Sequence, residues 1–171
     1  IPVVAFSVGE EELSGLDTTN LVGHLAAWNY FQSAESDANA GFISAWKTKM
    51  GDKRVTNDPM EAHYIGFNMW VKAVEKAGTT DVDKVRTAMY GITFPNLTGG
   101  TAEMLVNHHL SKPVLIGEIQ ADGQFDIISQ TSEVPGDAWT DFLPESAVLV
   151  SDWKDLKCGM YNKKTKTCVQ I

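Results

Sequence analysis

Apolar residues fall in short blocks along this chain, and the period changes from block to block. Ile1-Pro-Val-Val-Ala-Phe6 is a continuous apolar run, the pattern of a buried parallel strand. Leu21-Val-Gly-His-Leu-Ala-Ala-Trp28 reads as a second strand, followed by Asn29-Tyr-Phe31. The spacing then becomes helical. Ser36 is placed to cap a helix from Asp37 through Lys49 whose Ala38, Phe42, Ala45 and Trp46 share a face, with Gly51 as its stop. The strongest local signal follows. Asp58-Pro-Met-Glu61 supplies a cap, a first-turn proline and an acid three residues on, and Gly78 closes the far end.

Within that helix Ala62, Ile65, Met69 and Ala73 mark one apolar face, and Phe67, Trp70, Val71 and Val74 a second. Only Asn68, Lys72, Glu75 and Lys76 remain as a polar stripe, so the pattern predicts burial on more than one side. A shorter helix, Val82 to Tyr90, is capped by Thr80 or Asp81 and ended by Gly91. After the loop Phe94–Gly100 the period becomes that of strands, Thr101–Val106 and Pro113–Gln120. Ala121-Asp-Gly123 then turns the chain into Gln124–Ile128 as a hairpin. Beyond Thr131 periodicity fades, and Trp139, Phe142, Leu143 and Trp153 are expected to tack the tail onto the body. The pattern is α/β, without internal repeats. A buried strand beginning at the first residue leads us to expect the later part of a larger protein.

Composition narrows the function. The 171 residues are 43% hydrophobic and 21% charged, as in globular chains, and carry a net charge of -8. That charge argues against nucleic acid as a partner. The Lys-rich stretch Lys154–Lys166 is short and reads as solvated surface. No apolar run reaches the ~18–20 residues of a membrane-spanning helix. Both cysteines lie in the last fourteen residues, Cys158 and Cys168, around a polar, turn-forming middle. A hairpin closed by a disulfide is the favoured reading and suggests an oxidising compartment, with free thiols the alternative. Two cysteines do not make a metal site.

Catalysis would need a poised nucleophile or base with an orienting partner. His24, His63, His108 and His109 form no zinc spacing, Ser7 lacks a nucleophile-elbow context, and Thr98-Gly-Gly100 lacks the lysine and the helix of a phosphate loop. Binding has more to offer. Glu10 follows a strand end, where open α/β sheets take ligands, and one carboxylate there suits an amino or amide group. Trp28, Asn29, Tyr30 and Tyr64 add aromatic and polar groups at strand ends and helix starts.

The segments Phe6-Ser-Val-Gly-Glu-Glu-Glu-Leu13, Gly23–Phe31, Asp58–Trp70 and Asn107-His-His-Leu-Ser-Lys-Pro113 closely resemble the urea or short-chain amide binding proteins of ABC importers. These are type I periplasmic binding proteins of the branched-chain amino acid binding family. The resemblance implies two α/β lobes with ligand closed between them. It places residues 1–50 and 114–171 in the second lobe, and the helices of 59–90 against the first. It implies a small polar ligand, an ABC permease as partner, a periplasmic location and no cofactor. Carried residue by residue, it puts Glu10 on the ligand's amino group and Tyr64 on the cleft. Trp28 and Tyr30 fall near the hinge and cleft wall, and Ser7 is a weaker candidate. Branched-chain amino acid binding and a cytoplasmic amide sensor on the same scaffold are the alternatives, and an enzyme is a third reading with no constellation behind it. The apolar helix Pro59–Ala77, without a first lobe to cover it, is expected to drive homodimerisation.

Overall fold

A computed structural model describes residues 1–106, 108–136, 160–162 and 167–169. The chain runs through β1 (Val4–Ala5), α1 (Glu10–Ser14), a 3-10 turn at Thr18–Asn20, β2 (Leu25–Trp28), α2 (Asp37–Met50), α3 (Asp58–Ala77) and α4 (Val82–Met89). Then come β3 (Thr93–Pro95), β4 (Thr101–Met104), β5 (Leu110–Ser111), β6 (Leu115–Ile119), β7 (Phe125–Gln130), β8 (Met160–Asn162) and β9 (Thr167–Val169). None of the described helices is long and apolar enough to cross a membrane.

The main sheet has the order β1-β2-β6-β7, with β1 parallel to β2 and the other pairs antiparallel. Its core is Leu13, Ala26, Phe31, Leu115, Ile119 and Phe125. The Phe31 and Phe125 rings stack with centroids 4.4 Å apart. Gly117 lies beneath them at an irregularity in the β6–β7 register. A Cβ there would stand 2.8 Å from the Phe31 ring, so the close approach requires glycine. A second core, Ile65, Met69, Ala102 and Met104, joins α3 to the three-stranded sheet β3-β4-β5. Lys72 and Lys76 strengthen that unit by donating to the carbonyls of Thr93 (2.9 Å) and Ala88 (3.0 Å). The described residues thus hold two apolar centres, and the functional question concerns what lies between them.

Capping chemistry explains the helix limits. Ser36 accepts from Asn39 N at 3.0 Å and starts α2; Gly51 ends it. Asp81 caps α4. Gly78 closes α3 in the left-handed conformation at φ 64°. The cap of α3 is Asn57, whose side chain accepts from Met60 N at 3.1 Å, rather than Asp58. That one-residue difference frees the Asp58 carboxylate for another role.

The structure corrects three further expectations. The run Ile1–Phe6 is not a buried strand. Only two residues pair, and Ile1, Val3, Val4 and Phe6 are exposed, because among the described residues β1 is an edge with a neighbour on one side. The second strand begins at Leu25 rather than Leu21, since Asp17 holds Thr19 N at 3.0 Å and keeps 18–23 in turns. The helix α3 is not buried on both apolar faces. Ile65, Met69 and Ala73 are covered, whereas Phe67 and Trp70 stack on each other at 5.9 Å and stand 60% and 42% exposed.

The hairpin expected near the end forms as β8–β9, with Cys168 opposite Tyr161. The expected Cys158–Cys168 disulfide is corrected. A bridge needs Cα atoms within about 7 Å. Cys168 stands opposite Tyr161 in the ladder, and no cysteine pair among the described residues lies at disulfide distance. Cys158 itself, with Trp139, Phe142, Leu143 and Trp153, lies outside the described residues.

Candidate functional site

Where β2 ends and β6 begins, polar side chains gather in a place from which water is nearly excluded. Glu10 is the first residue of α1, with the Gly9 cap held by Glu12 through a 2.8 Å bond to its N–H. This short helix occupies what the sequence pattern left as a loop. It turns Glu10 inward, leaving the residue 1% exposed. One carboxylate oxygen accepts from Gln32 N at 2.6 Å, and the other, Oε2, has no protein partner. Burial pushes the Glu10 carboxyl up to about 7, against the Gln32 N–H that stabilises its anion.

Gln32 extends the network on two sides. Its Oε1 accepts from Thr56 N at 2.8 Å, and its Nε2 donates to Gln124 Oε1 at 2.8 Å. Tyr30, fully buried, donates its hydroxyl to Asn39 Oδ1 at 2.7 Å and shares a 2.7 Å bond with Thr56 Oγ1. Burial raises the Tyr30 phenol, so it stays protonated. Trp28 donates Nε1–H to the Val8 carbonyl at 2.8 Å and fixes the stretch leading to Glu10.

A second carboxylate set adjoins the first. Asp58 accepts from Asn29 N at 2.9 Å, and Asn29 also donates from Nδ2 to the Pro113 carbonyl at 2.7 Å. Glu61, one turn along α3, is fully buried and paired with Lys112, itself 6% exposed. The other Glu61 oxygen, Oε1, is unpartnered. Burial raises Asp58 and pushes Glu61 up to about 7; the Lys112 ammonium opposes both shifts. Three carboxyls and one ammonium therefore share this junction between the two apolar centres. Among the described residues no group of three or more His, Cys, Asp or Glu is placed to hold a metal.

Of the residues singled out by the sequence, Glu10, Trp28 and Tyr30 meet here. Tyr64 connects through rings. Phe42 touches Tyr30 edge-on at 6.4 Å and Tyr64 at 4.9 Å, and Tyr64 meets Phe94 at 5.8 Å. Tyr64 keeps 40% of its surface open, while Tyr30 offers none. Ser7 is exposed and makes none of these contacts. Sequence reading missed Gln32, Thr56 and Lys112 as site residues and took Asp58 and Glu61 for capping groups. The Asn107–Pro113 segment carried Lys112 in plain view, but nothing in the spacing links it to a glutamate 51 positions away.

Comparison with known proteins adds the evolutionary setting. Residues 1–145 match the family model described as a periplasmic binding protein domain. A solute binding protein of an ABC transporter from Rhodopseudomonas palustris BisB5, solved with 3,4-dihydroxybenzoic acid, superposes with a TM-score of 0.69 at 19% identity. The match covers 79% of this chain and 38% of that one. A branched chain amino acid ABC transporter periplasmic ligand-binding protein from Burkholderia xenovorans LB400 gives a TM-score of 0.64 at 15% identity, over 83% and 36%. A Geobacillus stearothermophilus protein named limonene hydroxylase is 38% identical over 114 residues, 66% of this chain and 20% of that protein. The chain thus spans little more than a third of the two solved relatives and a fifth of the curated one.

Proposed function

Because the chain belongs to the periplasmic binding protein domain family, we propose that it forms part of a non-catalytic solute receptor serving an ABC importer. That family works outside the cytoplasm, and the complete protein is read as exported. The solute is a small organic molecule bearing N–H donors. An amino acid fits best, given the branched-chain amino acid relative; urea or a short-chain amide is the second reading, since the Glu10 acceptor suits an amide N–H as well as an amino group.

The observation that carries the proposal is Glu10 Oε2, a buried acceptor without a partner beside an oxygen already fixed by Gln32. A buried polar atom left unmatched is costly, and a ligand N–H would match it. In this reading residues 1–50 and 114–171 form one lobe and the helices of 59–90 pack on the other. The two separate apolar centres with a polar seam between them support that division. Tyr64, half open beside Phe42 and Phe94, lines the cleft; Trp28 and Tyr30 hold its floor.

Calorimetric titration of leucine, urea and acetamide into the full-length protein tests the assignment. Glu10→Gln is expected to weaken the best of them by roughly 1–3 kcal/mol, the loss of a charge-assisted bond. Tyr64→Phe is expected to cost less. Unchanged affinity in Glu10→Gln would move the site elsewhere.

The exposed Phe67 and Trp70 fit the same division. In the complete protein the other lobe covers them, and the 171-residue chain by itself pairs through them instead. Sedimentation equilibrium at micromolar concentration is expected to show a dimer for this chain and a monomer for Phe67→Ser/Trp70→Ser. A monomer in both would remove that role from the α3 face.

A further inference from the structure

Between the end of β2 at Trp28 and the start of α2 at Asp37 the chain is in neither strand nor helix. The Gln32 N–H that holds Glu10 lies in this stretch, and an amide N–H points only where its planar peptide is held. Side chains supply what regular structure does not. Both backbone groups and both side-chain heads of Gln32 are engaged. Its N–H donates to Glu10 Oε1 at 2.6 Å, and its carbonyl accepts from Asn39 Nδ2 at 3.0 Å. Its Oε1 accepts from Thr56 N at 2.8 Å, and its Nε2 donates to Gln124 Oε1 at 2.8 Å. The partners come from α1, α2, the approach to α3 and the turn before β7.

Two of these bonds are the ends of one circuit. From Gln32 Oε1 it runs to Thr56, and from the Thr56 hydroxyl to that of Tyr30 at 2.7 Å. Tyr30 passes it to Asn39 Oδ1 at 2.7 Å, and Asn39 Nδ2 returns it to the Gln32 carbonyl. The Tyr30 proton goes to Asn39, so the Thr56 hydroxyl donates to Tyr30. Tyr30 and Thr56 are 0% exposed and Asn39 1%, so water does not compete for these bonds.

We propose that Gln32 is the positioning residue of the Glu10 site, and that the buried circuit through Thr56, Tyr30 and Asn39 sets its orientation. This role rests on the reading of Glu10 as the ligand's acceptor. With Oε1 spent on Gln32, Oε2 is left as a single acceptor whose position is restricted before a ligand arrives. Preorganisation of that kind removes part of the ordering cost of binding. Tyr30 then acts on the ligand through Gln32 rather than by contact.

Amide-resolved NMR of the full-length protein, with leucine as the probe ligand, tests the assignment. A short N–H bond to a carboxylate draws the amide proton downfield. The Gln32 amide proton is expected to move upfield as pH falls through about 7, where Glu10 takes up its proton, and to stay upfield in Glu10→Gln. Tyr30→Phe and Thr56→Val break the circuit and change neither Gln32 nor Glu10. With Glu10 ionised, each is expected to shift that resonance upfield and to raise the leucine dissociation constant about fivefold, the factor of one lost hydrogen bond. Thr56→Ser, which returns the hydroxyl, is expected to recover both. Val85→Ala, in α4 and away from the junction, is the stability control, expected to lower the urea midpoint and move neither. A wild-type Gln32 amide in the circuit variants would overturn the positioning role, and so would either change without the other. Should Tyr30→Phe fail to fold, Thr56→Val decides. If neither leucine, urea nor acetamide binds the wild-type protein, the reading of Glu10 as the ligand's acceptor falls, while the amide response still decides whether the circuit orients Gln32.

Discussion

Replacing Lys112 with methionine is expected to destabilise the fold by about 3–5 kcal/mol, the range for stripping a buried carboxylate of its counter-charge. The shape changes little, since methionine nearly fills the lysine stem. The charge balance changes sharply. Glu61 is fully buried and Lys112 almost so, and Lys112 also opposes the raised carboxyl of Asp58. Urea denaturation of wild type and variant measures the loss. A companion variant, Lys112→Met/Glu61→Leu, is expected to regain most of it, because two apolar groups of similar size need no solvation. Failure of the double variant to recover would mean that Lys112 acts on stability through some partner other than Glu61.

The second large effect is a dependence of stability on pH in an unusual direction. The Glu10 and Glu61 carboxyls are each raised from 4.5 to about 7, burial being the leading cause in both. A carboxyl that holds its proton more tightly when folded takes up protons on folding between those two values. Its stabilisation is complete below about 4.5 and is lost as pH rises through 7. The urea midpoint is therefore expected to fall between pH 5 and pH 8. Glu10→Gln, neutral throughout, removes a contribution on the order of 3 kcal/mol from that decline. Should the slope persist undiminished in Glu10→Gln, the proton uptake belongs to another group. Ligand binding to Glu10 would shift the same profile, since an N–H donor or cation at Oε2 favours the anion.

The helices were legible because their ends are written in single residues. Ser36, Asp81, Gly51 and Gly78 stop or start the backbone by chemistry that acts over three or four positions. The β6–β7 hairpin was legible for the same reason. The short helix at Glu10–Ser14 was not, because five residues set no period. The run Ile1–Phe6 misled because apolar composition indicates what a strand would bury but not whether a neighbour is present to bury it. Glu10 stood out in the sequence through its place after a strand. Its loss of solvent, the binding of its other oxygen by Gln32 and its proximity to Asp58 are products of long-range packing. The Glu61–Lys112 pair is the plainest case, being two ordinary surface residue types that become a buried ion pair only once α3 and the approach to β6 meet.

The row of rings from Tyr30 through Phe42 and Tyr64 to Phe94 gives the seam between the two apolar centres an uneven stiffness. Aromatic pairs prefer edge-to-face or offset-stacked arrangements by only about 0.5–1.5 kcal/mol, so a few degrees of rotation there cost little. The opposite holds at Glu61 and Lys112, where a charged bond in a dry setting tolerates little displacement. Glu61 and Tyr64 stand one turn apart on α3, so a tight contact and a forgiving one hold neighbouring points of the same helix.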